Sequence, residues 1–366
     1  MCPRRWALSR ASYPEVWERP GYPPKPTLAA LVGDVVHLAL EQVSLALHAR
    51  TVDKDTAGVA ALRELGGYSS LIRRAINERL RKLERNPRMA PRLESIRSLL
   101  GQKVPEIRHR VQSVVTRVQL AAAGYPQSRG SGHYRGPIVS GTYPEVELRA
   151  MQLRLTGRAD LVCVSDDEVT IMDYKTGQPD PSHIDQLRVY ALLWKHDTEL
   201  NPTGRAATKL VIVYTTHDEA YDAPSETELA DLREALIRRM HLAEAELAVR
   251  PPPARPDPES CRHCTVKHMC EEYWSALPLN QDPSTDDGEM LFLDCEGVVS
   301  QRNGPRSFVL DVSRMGTEIL LRTPTEAPPF TLGDRVRLMG VTYTEDDDAE
   351  QRVATITRGS EVFVIS

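Results

Sequence analysis

Near residue 138 the spacing of apolar residues changes, and the order of elements on either side of that change limits the folds open to this chain. Upstream, "TLAALVGDVVHLALEQVSLALHA" (27–49) repeats apolar residues at helical intervals, with Thr27 placed to cap its start. "GVAALRELGGYSSLIRRAINERLRKLER" and "RLESIRSLLGQKVPEIRHRVQSVVTRVQLAAA" continue the helical pattern, with breaks expected around Pro87 and Pro105. "GYPQSRGSGHYRGP" (124–137) reads as a loop. Downstream, "YPEVELRAM", "LRLTGRADLVCVS" and "EVTIMDYKTG" alternate as three short strands. A helix over 181–197 follows, with Ser182 as a reasonable cap, then a strand over 208–216 and an amphipathic helix over 225–250. Helices, three strands, helix, strand, helix is a mixed α/β order that a Rossmann repeat does not produce.

After a polar, acidic stretch at 278–288 the pattern changes again. "MLFLDCEGVVSQ", "RSFVLDVS", "GTEILLRT", "GDRVRLMGVTYT" and "QRVATITRGSEVFVIS" read as five strands between turn residues, which suggests a small OB-like β-barrel over 289–366. Such barrels bind single-stranded nucleic acid through stacked aromatics, which are scarce here. Nucleic-acid contact and docking onto a partner both stay open for it. The expected organisation is a main domain over 1–277, with a helical insertion at about 50–123, a linker at 278–288 and the barrel.

No window holds eighteen or so uninterrupted apolar residues, and "MCPRRWALSR" has no apolar signal core, so a cytoplasmic protein without membrane partners is expected. The net charge of -5 does not invite nucleic acid, but its distribution is uneven. From Arg73 to Arg117 there are thirteen Lys or Arg against four acids. That segment either faces phosphates or forms the solvated side of surface helices.

Asp173 and Lys175, two apart in "IMDYKTG", project to the same face of a strand. Alone, they make an ordinary surface pair. Asp160, ending "LTGRAD" on the preceding strand, can lie beside them if the two strands form a hairpin. Two carboxylates stay ionised together most readily around a divalent cation. A cation there acidifies water and stabilises charge on an attacked phosphate, with a lysine to orient the water. Taken singly, His37 suits a helical core, and Gln186 with Tyr190, four apart, suits a structural helix pair.

Together, "GDVVH" (His37), "GRAD" (Asp160), "DYKTG" (Asp173, Lys175) and "QLRVY" (Gln186, Tyr190) resemble the PD-(D/E)xK nuclease superfamily and, within it, the RecB-like exonuclease group. The resemblance implies a restriction-endonuclease-like mixed sheet flanked by helices. It implies that His37, Asp160, Asp173 and the carbonyl of Tyr174 bind Mg²⁺ or Mn²⁺, that Lys175 assists the nucleophilic water, and that Gln186 and Tyr190 support the site or the substrate strand. Glu147 is a candidate additional acid. DNA ends or single strands are the implied substrate, with RNA not excluded. No "GxxxxGK[ST]" segment occurs, so a helicase or ATPase partner would be a separate chain. A DNA-binding subunit that does not cleave is the alternative function.

"CRHCTVKHMC" supplies Cys261, Cys264 and Cys270 at metal-ligand spacing, and His263 or His268 could complete a zinc site. The start "CPRRW" adds Cys2. A Cys-Pro-Arg-Arg-aromatic start with a distant C-x2-C-x5-C resembles the AddB-type iron-binding nucleases and their CRISPR-associated relatives. That resemblance assigns Cys2, Cys261, Cys264 and Cys270 to a 4Fe–4S cluster fastening the two ends of the nuclease domain. Relatives carry a short segment before this cysteine, where here Met1 alone precedes it. Cys163 and Cys295 lie in apolar strand contexts and read as buried small hydrophobes.

Overall fold

The computed structural model describes residues 2–48, 61–117, 135–276, 291–312, 316–346 and 351–365. Two compact units divide the chain, one being Pro24–Glu244 and the other Met1–Pro23 together with Ala245–Ser366.

In the first unit, α2 (Leu28–His48) starts where Thr27 Oγ1 accepts the Ala30 N–H at 3.2 Å. α1 is the short helix Pro3–Arg10 of the other unit. By length and composition Leu28–Ala46 could cross a membrane. Here its Leu31, Val32, Val35, Val36, Ala39, Leu40 and Val43 instead line a core shared with α3 (Gly67–Glu84), α4 (Leu93–Gln102) and α5 (Val104–Arg117). The segment read as one helix before Pro87 is interrupted at Gly66 and Gly67, with φ of 76° and 77°, a conformation that suits glycine. The break expected around Pro105 is present: α4 ends at Gln102, and Pro105 falls in the first turn of α5, where its missing N–H costs nothing. Residues 49–60 and 118–134, including most of the expected loop at 124–137, lie outside the described residues.

The sheet runs β1 (Gly141–Ala150), β2 (Leu155–Val164), β3 (Val169–Lys175), β4 (Lys209–Tyr214) and β5 (Asp218–Asp222), in that spatial order. Only the β3–β4 pair is parallel, and its crossover carries α6 (Ser182–His196). The sheet is therefore mixed, as expected, although β5, an acidic edge strand, went unread. On one face Leu161, Tyr174, Val211 and Val213 meet the core of α2–α5. On the other, Ile171, Leu210 and Ile212 meet α6 and the first half of α7 (Glu226–Ala248). The start of α6 corrects the expected cap: Asp180 Oδ1, not Ser182, accepts the first free N–H, that of Ser182, at 2.8 Å.

The second unit contains α8 (Pro258–Arg262), α9 (Glu271–Ala276) and the strands β6 (Leu291–Gly304), β7 (Ser307–Val312), β8 (Thr317–Arg322), β9 (Arg335–Asp346), β10 (Gln351–Thr355) and β11 (Glu361–Ile365). β6, β7, β8, β10 and β9 close into a barrel, since β9 pairs with both β10 and β6. The last expected strand divides into β10 and β11, and β11 lies on β9 outside the closure. The barrel and the cysteine-bearing segment share buried charges. Arg337, 4 % exposed, donates to His268 O (2.7 Å), Glu271 Oε1 (2.6 Å) and Glu296 Oε2 (2.6 Å), and its guanidinium lies over Trp274. Asp294 Oδ2 accepts from Tyr273 OH at 2.6 Å and pairs with Lys267 at 2.5 Å. The expected linker at 278–288 lies outside the described residues.

Candidate active site and cysteine cavity

Strand alternation puts Tyr174 into the helical core and turns Asp173 and Lys175 to the opposite face, towards α6. Lys175 Nζ is 2.5 Å from Asp173 Oδ2 and donates to Gln186 Oε1 at 2.7 Å. Gln186 Nε2 then donates to Tyr190 OH at 2.6 Å. This relay leaves the Tyr190 hydroxyl hydrogen available to an incoming acceptor, and burial pushes the Tyr190 pKa up to about 12, so the proton stays. Gly157 makes the approach of α6 possible. A Cβ there would sit 2.8 Å from Tyr190 Cε1 and 2.9 Å from Leu193 Cδ1.

Asp160 is buried on β2, its Oδ2 accepting the Tyr174 N–H at 2.5 Å and its Oδ1 lying 3.5 Å from His37 Nδ1 on α2. Burial first, and then the Asp160 charge, raise the Asp173 carboxyl pKa against the pull of Lys175. Burial alone would lower the His37 pKa, but the hydrogen bond and charge of Asp160 outweigh it and the net shift is upward. His37, Asp160, Asp173, Lys175, Gln186 and Tyr190 thus converge, from α2, two strands and α6. Among the described residues no three His, Cys, Asp or Glu side chains close on a single point tightly enough to hold an ion as they stand. By kind, two buried carboxylates, an imidazole and the nearby Tyr174 carbonyl suit Mg²⁺ or Mn²⁺.

The sequence reading missed Glu145. It stands opposite Asp160 between the rungs Pro144–Leu161 and Val146–Ala159, with φ of 52°, rare for a residue with a side chain. Burial, with the charges of Asp160 and Glu41, lifts its carboxyl pKa to about 7. Arg158 Nη1 lies 3.6 Å away. Glu147, the acid singled out from sequence, pairs with Arg149 at 3.0 Å. Position in a strand could not separate the two, because the distinguishing signal is a backbone angle.

In the other unit Cys2, Cys261, Cys264 and Cys270 line one cavity of about 240 Å³, with Arg5, Lys267 and Tyr273 in its wall. Burial raises the Cys264 thiol pKa and pushes that of Cys270 up to about 11, so a bound metal would have to displace their protons. His263 and His268 do not line the cavity. The His268 ring stacks on Phe363 at 3.9 Å and meets the Tyr22 ring at a tilt of 46°, 4.9 Å away.

A model of the PD-(D/E)XK nuclease superfamily matches residues 1–271. Two mycobacteriophage proteins, both called Gene 69 protein, are similar over shorter stretches. That of phage D29 is 33 % identical over 134 residues, 35 % of this chain and 46 % of that protein. That of phage L5 is 32 % identical over 123 residues, 32 % of this chain and 40 % of that protein. The chain thus spans less than half the length of these relatives. Among solved structures, the tetrameric p202 HIN2 matches 22 % of this chain and 44 % of its own, at 16 % identity and a TM-score of 0.19. A murine DNA-binding protein bound to double-stranded DNA matches 62 % and 95 %, at 10 % identity and a TM-score of 0.18. Scores this low define no shared fold.

Proposed function

The chain belongs to the PD-(D/E)XK nuclease superfamily, and on that premise we propose that it is a metal-dependent deoxyribonuclease of the RecB-like kind, an exonuclease acting on DNA ends or single strands. The observation that carries this reading is the continuous relay from Asp173 through Lys175 and Gln186 to Tyr190, beside the Asp160–His37 contact. In this reading His37, Asp160, Asp173 and the Tyr174 carbonyl hold Mg²⁺ or Mn²⁺. When bound, the ion supplies an acidified water and a counter-charge for the attacked phosphate. Lys175, held on two sides, orients that water through its ammonium. Gln186 holds the lysine in place, and the Tyr190 hydroxyl donates to the substrate strand.

For the cysteine cavity we propose a 4Fe–4S cluster on Cys2, Cys261, Cys264 and Cys270. The four thiols surround one space without converging on a point, the arrangement a cubane needs because each thiolate takes a different iron. Arg5 and Lys267 provide positive charge for an anionic cluster. The ring stacking of His268 speaks against zinc completed by that histidine. The cluster's role is structural, joining residue 2 to residues 261–270.

The test is cleavage of end-labelled single- and double-stranded DNA with Mg²⁺ or Mn²⁺, wild type beside Asp160→Ala. Cleavage by the wild type alone supports the reading, and the label that shortens reports polarity. DNA binding without cleavage by folded, metal-supplied protein would favour a binding subunit.

A further inference from the structure

Lys175 and Tyr214 are partners on the last rung of the parallel β3–β4 pair, and beyond that rung the sheet no longer satisfies either chain. The next carbonyls, Thr176 O and Thr215 O, are both taken by α5. Arg110 Nη1 donates to Thr176 O at 2.7 Å, and Ser113 Oγ donates to Thr215 O at 2.6 Å. The two donors are three residues apart, on one face of the helix. Arg110 is itself anchored, because its Nη2 donates to Glu106 Oε1 at 2.7 Å one turn earlier, and Glu106 also takes Lys103 at 2.9 Å. A planar guanidinium bonded at both ends has little freedom to move. α2 also comes close to this residue: a Cβ on Gly33 would lie 3.0 Å from Thr176 Oγ1. Gly33 precedes His37 by one turn.

We infer that α5 is a positioning clamp for the catalytic strand, with Arg110 holding Thr176 and, through it, Lys175 and the Tyr174 carbonyl. The inference rests on the nuclease reading above. Arg110 is a positioning residue, not a substrate contact, since both its terminal nitrogens are committed within the protein. The helical insertion therefore sets the geometry of the active site. A clamp of this kind acts on kcat, because displacing a reacting group by about 1 Å costs on the order of a hundredfold in rate.

The experiment compares wild type, Arg110→Ala, Arg110→Lys and Ser113→Ala in steady-state cleavage, in metal-free DNA binding across a salt series and in thermal melting. The clamp predicts that kcat of Arg110→Ala falls roughly ten- to a hundredfold while KM and the salt slope stay unchanged. Ser113→Ala should lose less in the same direction, and Arg110→Lys should regain part of the loss, since an ammonium can reach Thr176 O. Unchanged kcat in folded Arg110→Ala and Ser113→Ala overturns the clamp while the nuclease reading stands. A salt slope reduced by about one instead makes Arg110 a phosphate contact, which also overturns it. A wild type that binds DNA but never cleaves removes the nuclease reading and the clamp together.

Discussion

Lys175 donates to Gln186 Oε1 at 2.7 Å, a bond that joins β3 to the helix packed over it. Without the amide, the ammonium keeps Asp173 as its only partner among the described residues. Lys175→Ala is expected to slow single-turnover cleavage by roughly a hundredfold or more, with DNA affinity unchanged. Gln186→Leu should fall between that variant and wild type. Full activity in Gln186→Leu would reduce the relay to packing.

Gly157 admits the ring of Tyr190. Gly157→Ala places a methyl where Tyr190 and Leu193 already are, and should cost about 1–3 kcal/mol in urea denaturation. The displaced tyrosine should also lower kcat. A variant as stable and active as wild type would show that α6 shifts freely.

Glu145 gives a pH dependence of definite sign. Its folded pKa of about 7 lies above the ordinary 4.5, so between those values the folded state binds more protons than the unfolded. In metal-free protein this term falls from full strength below about pH 4.5 to its lowest value above about pH 7. Glu145→Gln should therefore melt higher than wild type at pH 8 and near it at pH 5. Melting curves in chelator at the two pH values decide. Saturating Mn²⁺ should narrow the gap at pH 8 if the cation relieves the crowding of carboxylates.

Loss of one cysteine from the cavity should act on structure before chemistry. Anaerobically purified wild type is expected to be brown, with iron and acid-labile sulfide. Cys264→Ala should be colourless and less soluble. Colourless wild type carrying zinc would overturn the cluster assignment.

Arg337 offers a test within the same unit that needs no metal. Arg337→Met leaves Glu296 buried with one fewer cation and strips the His268 carbonyl of a donor. The expected loss is about 3–5 kcal/mol, read from chemical denaturation. Because Arg337 also holds Glu271, limited proteolysis should open the segment after Cys270 in this variant.

What could be read from the sequence were features set by spacing along the chain. "DYK" on a strand and "QLRVY" on a helix carry their geometry in periods of two and four, and the structure brings those side chains together. Glu145 was hidden because a single positive φ, not its place in "YPEVELR", turns it towards Asp160. Asp180 takes the cap expected of Ser182 because only the backbone path tells two cap-forming residues on either side of Pro181 apart. Hidden most deeply were pairings between distant residues of unlike elements, such as Arg110 with Thr176 or Arg337 with His268, for which no period exists.

The unit built from both ends of the chain sets an order of events during synthesis. Arg4, in α1, bonds Pro252 O, Pro253 O and Glu272. Arg4 is thus made long before any of these three partners. At roughly 5–20 residues per second, the ribosome needs on the order of ten seconds or more to cover that distance. Pro24–Glu244 can complete its core in that interval, while Cys2 waits for the other three thiols. Any assembly of the cavity therefore comes after the strand bearing Asp173 and Lys175 has been made.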